Sequence, residues 1–398
     1  SVLAQQNQDS LMIKRISDEV FMNGKAYENL RFLCKKVGPR LSGSAGAALA
    51  VDQTARMLRE AGADTVYLQP CMVPRWERGA KEIGRASLNN GQTMPLNIVA
   101  LGNAVGTPVG GISAQVIEVK SFKELEALGA DKVKGKIVFY NYRMDPRFIS
   151  TFAAYGDAGV YRSAGPSRAA ALGAVAVIVR TLSPVLDDNP HTGATKYEEG
   201  KPKIPAVAIS TNGAVELSKA ITDGKVGSVY LKTNCKMLED VLSYNVIGEI
   251  RGAEFPSEVI TVGGHLDSWD LAEGAHDDGT GCMQSIEIIR AMKALGIQPK
   301  RTIRAVMFMN EENGLRGGTK YGEVAKTENK KFIMAMESDA GGFTPRGFGF
   351  SADARQKEKI MSWKPLFHPY GASEFKEGGG GADIGPLRPL GTALIGLN

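Results

Sequence analysis

The sequence predicts an α/β protein with a mostly parallel central sheet flanked by helices, interrupted by an inserted β-rich domain. After about residue 240, the apolar runs SEVITVGG, TIRAVMFMN and KFIMAME alternate with helical segments. Continuous apolar runs of this kind are typical of parallel strands that are buried on both faces. Between about residues 82 and 240, glycine and proline separate short β-branched runs such as GKIVFYNY and IPAVAIS, which is the pattern of many short strands.

The length of the chain supports this division into domains. A chain of 398 residues exceeds the roughly 250–300 residues at which a single hydrophobic core stops growing. We predict that residues 1–82 and 239–398 form the α/β domain and that residues 83–238 form the insert. Helices are expected at 26–36, 45–61 and 281–295, where apolar residues recur at helical spacing.

Composition excludes two classes of partner and suggests a location. The net charge of +5 is spread without a run of basic residues, so we expect no nucleic-acid partner. No apolar run reaches the roughly 18 residues that a membrane span needs. The opening SVLAQQNQDS is compatible with the end of a cleaved secretory signal, which would place the protein in the secreted or periplasmic class, and equally with an ordinary chain start.

Four cysteines stand at positions 34, 71, 235 and 282, and none belongs to a C-x-x-C pair. A structural zinc knuckle or a dithiol redox site is therefore not expected. Cys71 and Cys235 lie near the two seams of the insert. In an exported protein they would form a disulfide between insert and host, and two free buried thiols are the alternative.

Candidate ligands follow three of the apolar runs. EVITVGG precedes His265 and Asp267, AVMFMN precedes Glu311 and Glu312, and FIMAMES precedes Asp339. In open α/β sheets, ligands bind beyond the carboxyl ends of the strands. Imidazole and carboxylate are typical zinc ligands, two metals can share a bridging carboxylate, and a further carboxylate can accept the proton of the attacking water. The sequence therefore predicts a hydrolytic metal site at this edge.

Four motifs in order, GGHLDS, GAHDDGTG, NEENGLRGG and ESDAGG, resemble those of the co-catalytic zinc exopeptidases. This superfamily contains leucine aminopeptidases and glutamate carboxypeptidases, and the stretch GGHLDSWDLAEGAHDDGTG is most similar to its plasma glutamate carboxypeptidase branch. VGPRLSGS near the start fits the same family, and the insert, with VKGKIVF, LGAVAVIV and IPAVAIS, resembles its protease-associated domain. The likeness runs through nearly the whole chain and implies a fold of the zinc-exopeptidase type.

The resemblance implies a role for each residue of the site. His265 and Asp339 would bind the first zinc, Asp277 would bridge two zinc ions, and Glu312 would bind the second. Glu311 would be the general base.

Five neighbouring residues receive supporting or lesser roles. Asp267 would hold the imidazole of the ligand histidine in the correct tautomer. Asp278 is expected to cap the following helix, and His276 is expected to point away from the metals. Asp270 and Asp383, the latter within EGGGGADIGPL, are candidates for contact with the substrate.

One family ligand has no counterpart in this sequence. The family supplies a last histidine, in a Tyr-His context, to the second metal. His191 lies in the insert, His368 in PLFHPYG matches no ligand position, and the chain ends at GTALIGLN, which resembles the strand before the missing segment. The family pattern implies two zinc ions. Either the sequence stops short of the segment that carries the last ligand, or, if this ending is real, Asp277 and Glu312 alone would face the second zinc and would bind it weakly.

The resemblance implies a zinc-dependent exopeptidase of the aminopeptidase, dipeptidase or carboxypeptidase type. It would hydrolyse short peptides by a metal-bound hydroxide with Glu311 as general base, and a homodimer is the assembly to test. One alternative is a non-catalytic receptor or scaffold of the transferrin-receptor type, which the complete set of acidic site residues opposes. Another is a single-zinc acyltransferase like the glutaminyl cyclases, which the insert and the HLDSWD loop oppose.

Overall fold

The computed structural model describes residues 2–398, with side chains from residue 8 onward. The predicted signal remnant begins at Ser1, which lies outside the described residues. The helices are α1 Val2–Asn23, α2 Ala26–Phe32, α3 Ala45–Glu60, α4 Phe122–Val133, α5 Thr151–Ser163, α6 Gly165–Ala171, α7 Thr211–Thr222, α8 Thr280–Ala294, α9 Arg316–Thr327, α10 Ala354–Ser362 and α11 Lys364–Phe367. The strands are β1 Thr65–Glu77, β2 Ile83–Leu88, β3 Thr93–Leu96, β4 Ile98–Ala100, β5 Ile112–Ala114, β6 Val116–Val119, β7 Ile137–Tyr140, β8 Ala176–Arg180, β9 Ala206–Ile209, β10 Val226–Lys232, β11 Lys236–Ile250, β12 Phe255–His265, β13 Arg301–Phe308, β14 Lys331–Glu337, β15 Gly347–Ser351, β16 Glu374–Glu377 and β17 Ala393–Leu397. π-helical turns cover Leu33–Val37 and Ala275–Gly279, and 3₁₀ turns cover His368–Tyr370 and Gly385–Leu390.

The chain divides into two compact units. The first unit contains Ser1–Arg75 and Asp240–Asn398, and the second contains Trp76–Glu239. The second unit therefore begins at Trp76 rather than at the predicted residue 83, because the long strand β1 continues across the boundary. On the return, β11 crosses the boundary in the same way.

The first unit is built on an eight-stranded mixed sheet in the order β1-β11-β13-β12-β14-β17-β15-β16. Strand β12 is parallel to both β13 and β14, and β14 is parallel to β17. Strand β11 is antiparallel to β13, and β15 is antiparallel to β17. This arrangement confirms the predicted α/β class with a mostly parallel central sheet flanked by helices.

Helices cover both faces of this sheet. Alternate residues of a strand point to opposite faces, and because the central strands are apolar at nearly every position, both faces present apolar side chains. On one face, Met307 of β13 belongs to a buried cluster with Leu58 of α3 and Met283 of α8. On the other face, Phe308 packs edge-on against Tyr321 of α9 at 5.4 Å between ring centroids. The near-continuous apolar sequence of the central strands follows from this double coverage.

The second unit contains more helix than the predicted β-rich domain. Its four helices, α4 to α7, accompany a five-stranded sheet in the order β4-β9-β8-β7-β6, of which β6 to β9 are parallel. A four-stranded antiparallel sheet, β3-β2-β10-β5, completes the unit. The runs IVFY and AVIVR are buried at every position, which is the signature of strands covered on both faces rather than of an open β-sandwich.

The disulfide predicted between Cys71 and Cys235 is not formed, and both thiols are free. Cys71 belongs to the apolar core of the first unit, beside Val73. Cys235 is buried within the second unit, where burial raises the pKa of its thiol. The alternative of free buried cysteines is therefore the one that the structure contains.

Candidate metal centre

The predicted site lies at the carboxyl ends of three adjacent parallel strands. In the register of the sheet, His265 at the end of β12 pairs with Phe308 at the end of β13. Gly263 of β12 pairs with Glu337, the last residue of β14. The residues that follow β13 and β14 therefore emerge beside His265. This register brings the NEEN and ESDA motifs to one place, as the carboxyl-edge argument requires.

His265 lies at the centre of a cluster of carboxylates. Its side chain is fully buried, and its Nε2 atom lies 2.9 Å from Oδ1 of Asp277 and 3.4 Å from Oδ1 of Asp339. One ligand atom from each of these three residues lies within 4.8 Å of the others. Among the described residues, these are the three side chains grouped closely enough to hold a metal ion together.

The backbone carbonyl of Asp267, rather than its side-chain carboxylate, sets the tautomer of His265. Nδ1 of His265 is 2.9 Å from the backbone carbonyl oxygen of Asp267, whereas the nearest carboxylate oxygen of Asp267 is 3.8 Å away. Because a carbonyl oxygen can only accept, Nδ1 carries a proton, and Nε2 is the ring nitrogen that faces the carboxylates of the cluster, where a bound metal would take the place of its proton. Asp267 thus orients the ligand, but through its main chain.

The carboxylate of Asp267 instead organises the turn that carries the predicted base. Its Oδ1 accepts the backbone N–H groups of Asn310 at 2.7 Å and Glu311 at 3.0 Å, and its Oδ2 accepts that of Glu312 at 3.3 Å. Asp267 is fully buried. One residue therefore fixes both the imidazole ligand and the pair of glutamates.

Asp278 fulfils its predicted role as a helix cap and has a second one. Its Oδ1 accepts the N–H of Gly281 in the first turn of α8 at 2.9 Å, which confirms the cap. Its Oδ2 accepts the backbone N–H of His265 at 3.0 Å. The buried Asp278 carboxylate therefore fastens the start of α8 to the end of β12. The peptide bond between Asp277 and Asp278 is cis.

The pKa values of the cluster show that its negative charges are crowded, which favours the binding of a cation. Burial and the surrounding carboxylates raise the pKa of Glu311 to about 7 and that of Glu312 to about 9. For Glu312, the charge of Asp277 is the largest cause after burial. Although burial opposes protonation of His265, hydrogen bonds to Asp277 and Asp339 raise its pKa well above the ordinary value.

These shifts have one physical meaning. Carboxylates that crowd together in a buried place repel one another and favour any positive charge placed between them. Imidazole nitrogen and carboxylate oxygen are also the donors that zinc takes in hydrolytic sites. The residues present therefore fit zinc in both charge and donor type.

Arg40, in the VGPRLSGS motif, is a structural member of the site that the sequence interpretation missed. It is fully buried, and its guanidinium donates to the carbonyl oxygens of Leu266, Glu273 and Gly274 at 2.5–2.7 Å. It therefore holds the loop between His265 and Asp277. The sequence feature that could have indicated this role is the arginine itself, a charged residue between a proline and a leucine in VGPRLSGS.

The same motif braces the glutamate turn from the other side. The Ser42 hydroxyl donates to Oδ1 of Asn313 at 2.9 Å and accepts the side-chain amide of Asn310 at 2.8 Å. Asn310 adopts a left-handed backbone conformation with φ of 74°, which asparagine tolerates better than most residues. The turn that carries Glu311 and Glu312 is thus fixed by hydrogen bonds from two sides.

Several predicted residues lie outside the cluster. His276 is exposed, packs against Phe343 at 4.9 Å between ring centroids and accepts the N–H of Gly342, and it is not one of the three residues grouped closely enough to hold a metal ion. Asp270 is half-buried in the loop held by Arg40.

Asp383 does not fit the predicted contact with substrate. Its carboxylate is fully buried, and both of its oxygens lack a hydrogen-bond partner among the described residues. Burial and the neighbouring Glu337 raise its pKa well above the usual range. A carboxyl group enclosed in this way is not presented to a bound peptide.

Comparison with known proteins places the chain in a family. The profile of peptidase family M28 matches residues 245–394. Carboxypeptidase Q of Bos taurus is 37% identical over 363 residues, covering 90% of this chain and 74% of that relative. Carboxypeptidase Q of Homo sapiens is 36% identical with the same coverage of both chains.

Solved structures agree with the sequence relatives. A peptidase M28 precursor from Shewanella amazonensis has a TM-score of 0.92 at 30% identity, covering 98% of this chain and 88% of the other. BSAP, a zinc aminopeptidase from Bacillus subtilis, shares the fold with a TM-score of 0.67 at 21% identity, covering 94% and 84%.

The chain belongs to peptidase family M28. This membership confirms the predicted class, a metallo-exopeptidase of the co-catalytic zinc type, and the carboxypeptidase Q relatives confirm the predicted likeness to the plasma glutamate carboxypeptidase branch, which is the same enzyme under its other name. It does not favour the receptor or the glutaminyl-cyclase alternative.

Proposed function

We propose that this protein is a zinc-dependent exopeptidase that hydrolyses short peptides at the His265 cluster. The observation that carries the proposal is the grouping of one fully buried imidazole with two carboxylates within 4.8 Å. The glutamates of the neighbouring turn supply the remaining acid–base capacity. A receptor role would not need this collection of mutually repelling acidic groups.

His265, Asp277 and Asp339 would hold one zinc ion, and Asp277 with Glu312 would face a second. Bound zinc polarises a carbonyl oxygen and lowers the pKa of water. Asp277 is the residue common to both positions, which agrees with the strong effect of its charge on Glu312. Within residues 8–398, His265 is the one histidine of the cluster, and Asp277 and Glu312 are the residues proposed to face the second position.

Glu311 is the proposed general base. Its pKa of about 7, raised by burial, lies near the range in which a carboxylate both accepts and returns a proton at neutral pH. Glu311 would accept a proton from the attacking water and deliver it to the nitrogen of the leaving amine. Hydrogen bonding of its backbone N–H to Asp267 keeps this side chain at the edge of the cluster.

A direct assay can decide whether the enzyme recognises the free amino end or the free carboxyl end of its substrate. It thereby distinguishes aminopeptidase, carboxypeptidase and dipeptidase activity. A panel of dipeptides, N-acetylated dipeptides and dipeptide amides separates these activities. Cleavage that requires both free ends indicates a dipeptidase, whereas loss on acetylation alone indicates an aminopeptidase and loss on amidation alone a carboxypeptidase.

Replacement of Glu311 by glutamine tests the proposed base. We expect kcat for the best dipeptide to fall about 10²- to 10⁴-fold, because the amide cannot accept a proton. Zinc content should remain unchanged. The matched control is Glu358→Gln on the exposed face of α10, which should keep full activity. Full activity in Glu311→Gln would exclude this role.

A secreted or periplasmic location and a homodimeric assembly remain proposals. No helix within residues 2–398 combines the length and apolar character needed to cross a membrane. Fractionation of cells that express the full-length gene would test the location, and light scattering of the purified protein would test the assembly.

A further inference from the structure

A cavity of about 600 Å³ opens at the carboxyl edge of the parallel sheet in the second unit. Its lining includes Lys120 directly after β6, Asn141 directly after β7 with Arg143 two residues further on, and Arg180 at the end of β8. Three consecutive parallel strands thus each contribute a basic residue to the same edge. This edge is where ligands bind in open α/β sheets, and the volume lies in the usual range for small-molecule sites.

Arg180 is the most buried of the basic residues that line the cavity. Its side chain is only 3% exposed, and its guanidinium forms one hydrogen bond with the described residues, from Nη1 to Oδ1 of Asn141 at 3.1 Å. A guanidinium carries five N–H donors. Burial and the nearby charge of Arg143 lower the pKa of Arg180, so the surrounding protein does not compensate this cation fully.

Glu118, the acidic group whose charge acts on Arg180, is already engaged by other residues. Oε1 of Glu118 accepts the side-chain amide of Asn141 at 2.7 Å and the hydroxyl of Ser218 at 2.9 Å. The charge of Glu118 acts on Arg180 more weakly than that of Arg143. Glu118 therefore orients Asn141 below the cavity rather than neutralising the guanidinium directly.

The rim adds further positive charge. Lys120, Arg143 and Lys219 are exposed around the opening. Within residues 8–398, none of them and no nitrogen of Arg180 forms an ion pair. The acidic residue of the lining, Asp223, forms an ion pair with Lys225 at 2.8 Å. The charge of Asp223 also acts on Lys219. The cavity thus presents four basic side chains against two acidic ones, Glu118 and Asp223, that already have other partners.

We propose that this cavity of the second unit binds a small molecule through a phosphate group. A phosphate monoester carries up to two negative charges and accepts the paired N–H groups of a guanidinium. Arg180 would bind the phosphate oxygens from below, with Lys120, Arg143 and Lys219 around it. The volume exceeds that of the anion alone and leaves room for the organic part of an ester beside Tyr142 and Val215.

Calorimetric titration of the full chain with inorganic phosphate, at fixed ionic strength and with chelator present to empty the zinc site, tests the proposal. We expect one phosphate per chain and at least a tenfold loss of affinity in Arg180→Gln. Because a buried arginine contributes to folding, Arg143→Gln at the exposed rim serves as a second variant and should weaken binding at least threefold. Lys123→Gln, an exposed position on α4 outside the cavity, should bind as the parent does.

Three results would overturn the assignment. These are the absence of phosphate binding to the folded parent protein, equal binding in Arg143→Gln and the parent, and equal or tighter binding of succinate in the same titration. The last result would assign the cavity to carboxylates instead. Peptidase activity is not part of the readout, so failure of this proposal is distinguishable from failure of the proposed function.

Discussion

At the scale of single residues, Asp267 contacts more parts of the site than its neighbours do. Its backbone carbonyl fixes the proton of His265, and its carboxylate accepts three consecutive backbone N–H groups from Asn310 to Glu312. Hydrogen bonds to a charged acceptor contribute more than neutral ones, about 1.5–3 kcal/mol each. The residue therefore couples the geometry of His265, the proposed metal ligand, to that of Glu311, the proposed base.

Substitution of Asp267 by asparagine separates its two functions. The backbone contact to His265 remains, but the amide can accept at only one atom and turns a donor toward the N–H groups of the turn. We expect zinc affinity to fall about 10- to 100-fold, as for other partners that orient metal ligands, together with a lower kcat. Equilibrium dialysis and a dipeptide assay measure these effects.

The control for this substitution is Asp52→Asn on the exposed face of α3. This variant removes the same charge far from the turn and should match the parent in both measurements. Parent-like zinc affinity in Asp267→Asn would contradict the coupling.

At the scale of elements, the junction of β12 and α8 is the least tolerant part of the site. A side chain at Gly281, in the first turn of α8, would collide with the carbonyl oxygen of Ser338 and with the carboxylate of Asp278. Ser338 directly precedes the ligand Asp339. Close packing at this point therefore aligns two strands and one helix around the cluster.

Gly281→Ala is expected to destabilise the protein by about 3 kcal/mol, since backbone and a buried carboxylate must move to accommodate the methyl group. The matched control is Gly156→Ala in α5, where an added methyl group meets nothing within 4 Å. There, the higher helix propensity of alanine should increase stability by up to about 1 kcal/mol. Urea unfolding of both variants would show the contrast, and equal effects would contradict the packing argument.

At the scale of the whole molecule, metal binding and stability should be linked. The metal-free cluster concentrates the carboxyl groups of Asp277, Glu311, Glu312 and Asp339 around one imidazole. A cation that binds the native state but not the unfolded chain stabilises the fold by about 2.7 kcal/mol at a hundredfold excess over Kd. Zinc should therefore raise the unfolding temperature of the first unit.

We expect zinc to bind at the position that His265, Asp277 and Asp339 would form, with Asp277 and Glu312 proposed to face a second zinc ion. Elemental analysis after dialysis gives the stoichiometry, and calorimetry with and without chelator should show a shift of several degrees. Asp277→Asn should abolish this shift. An unfolding temperature that is independent of chelator would contradict the linkage.

Much of this site could be predicted because its chemistry is local to the strand ends. The apolar runs before His265, Glu311 and Asp339 marked buried strands, and ligand residues follow each run directly. Parallel strands then bring their carboxyl ends together without further information. The helix cap at Asp278 could also be predicted from the sequence, since the N–H group that it accepts belongs to Gly281, only three residues further along the chain.

The remaining features depend on contacts between distant parts of the chain, and only the tertiary structure decided them. Arg40 reaches carbonyl groups more than 220 residues away, and Asp267 uses its main chain for one neighbour and its carboxylate for another. The burial of Asp383 and the separate burial of Cys71 and Cys235 follow from the packing around them. Residue types and spacing thus determined which groups carry the chemistry, whereas register and packing decided which atoms meet.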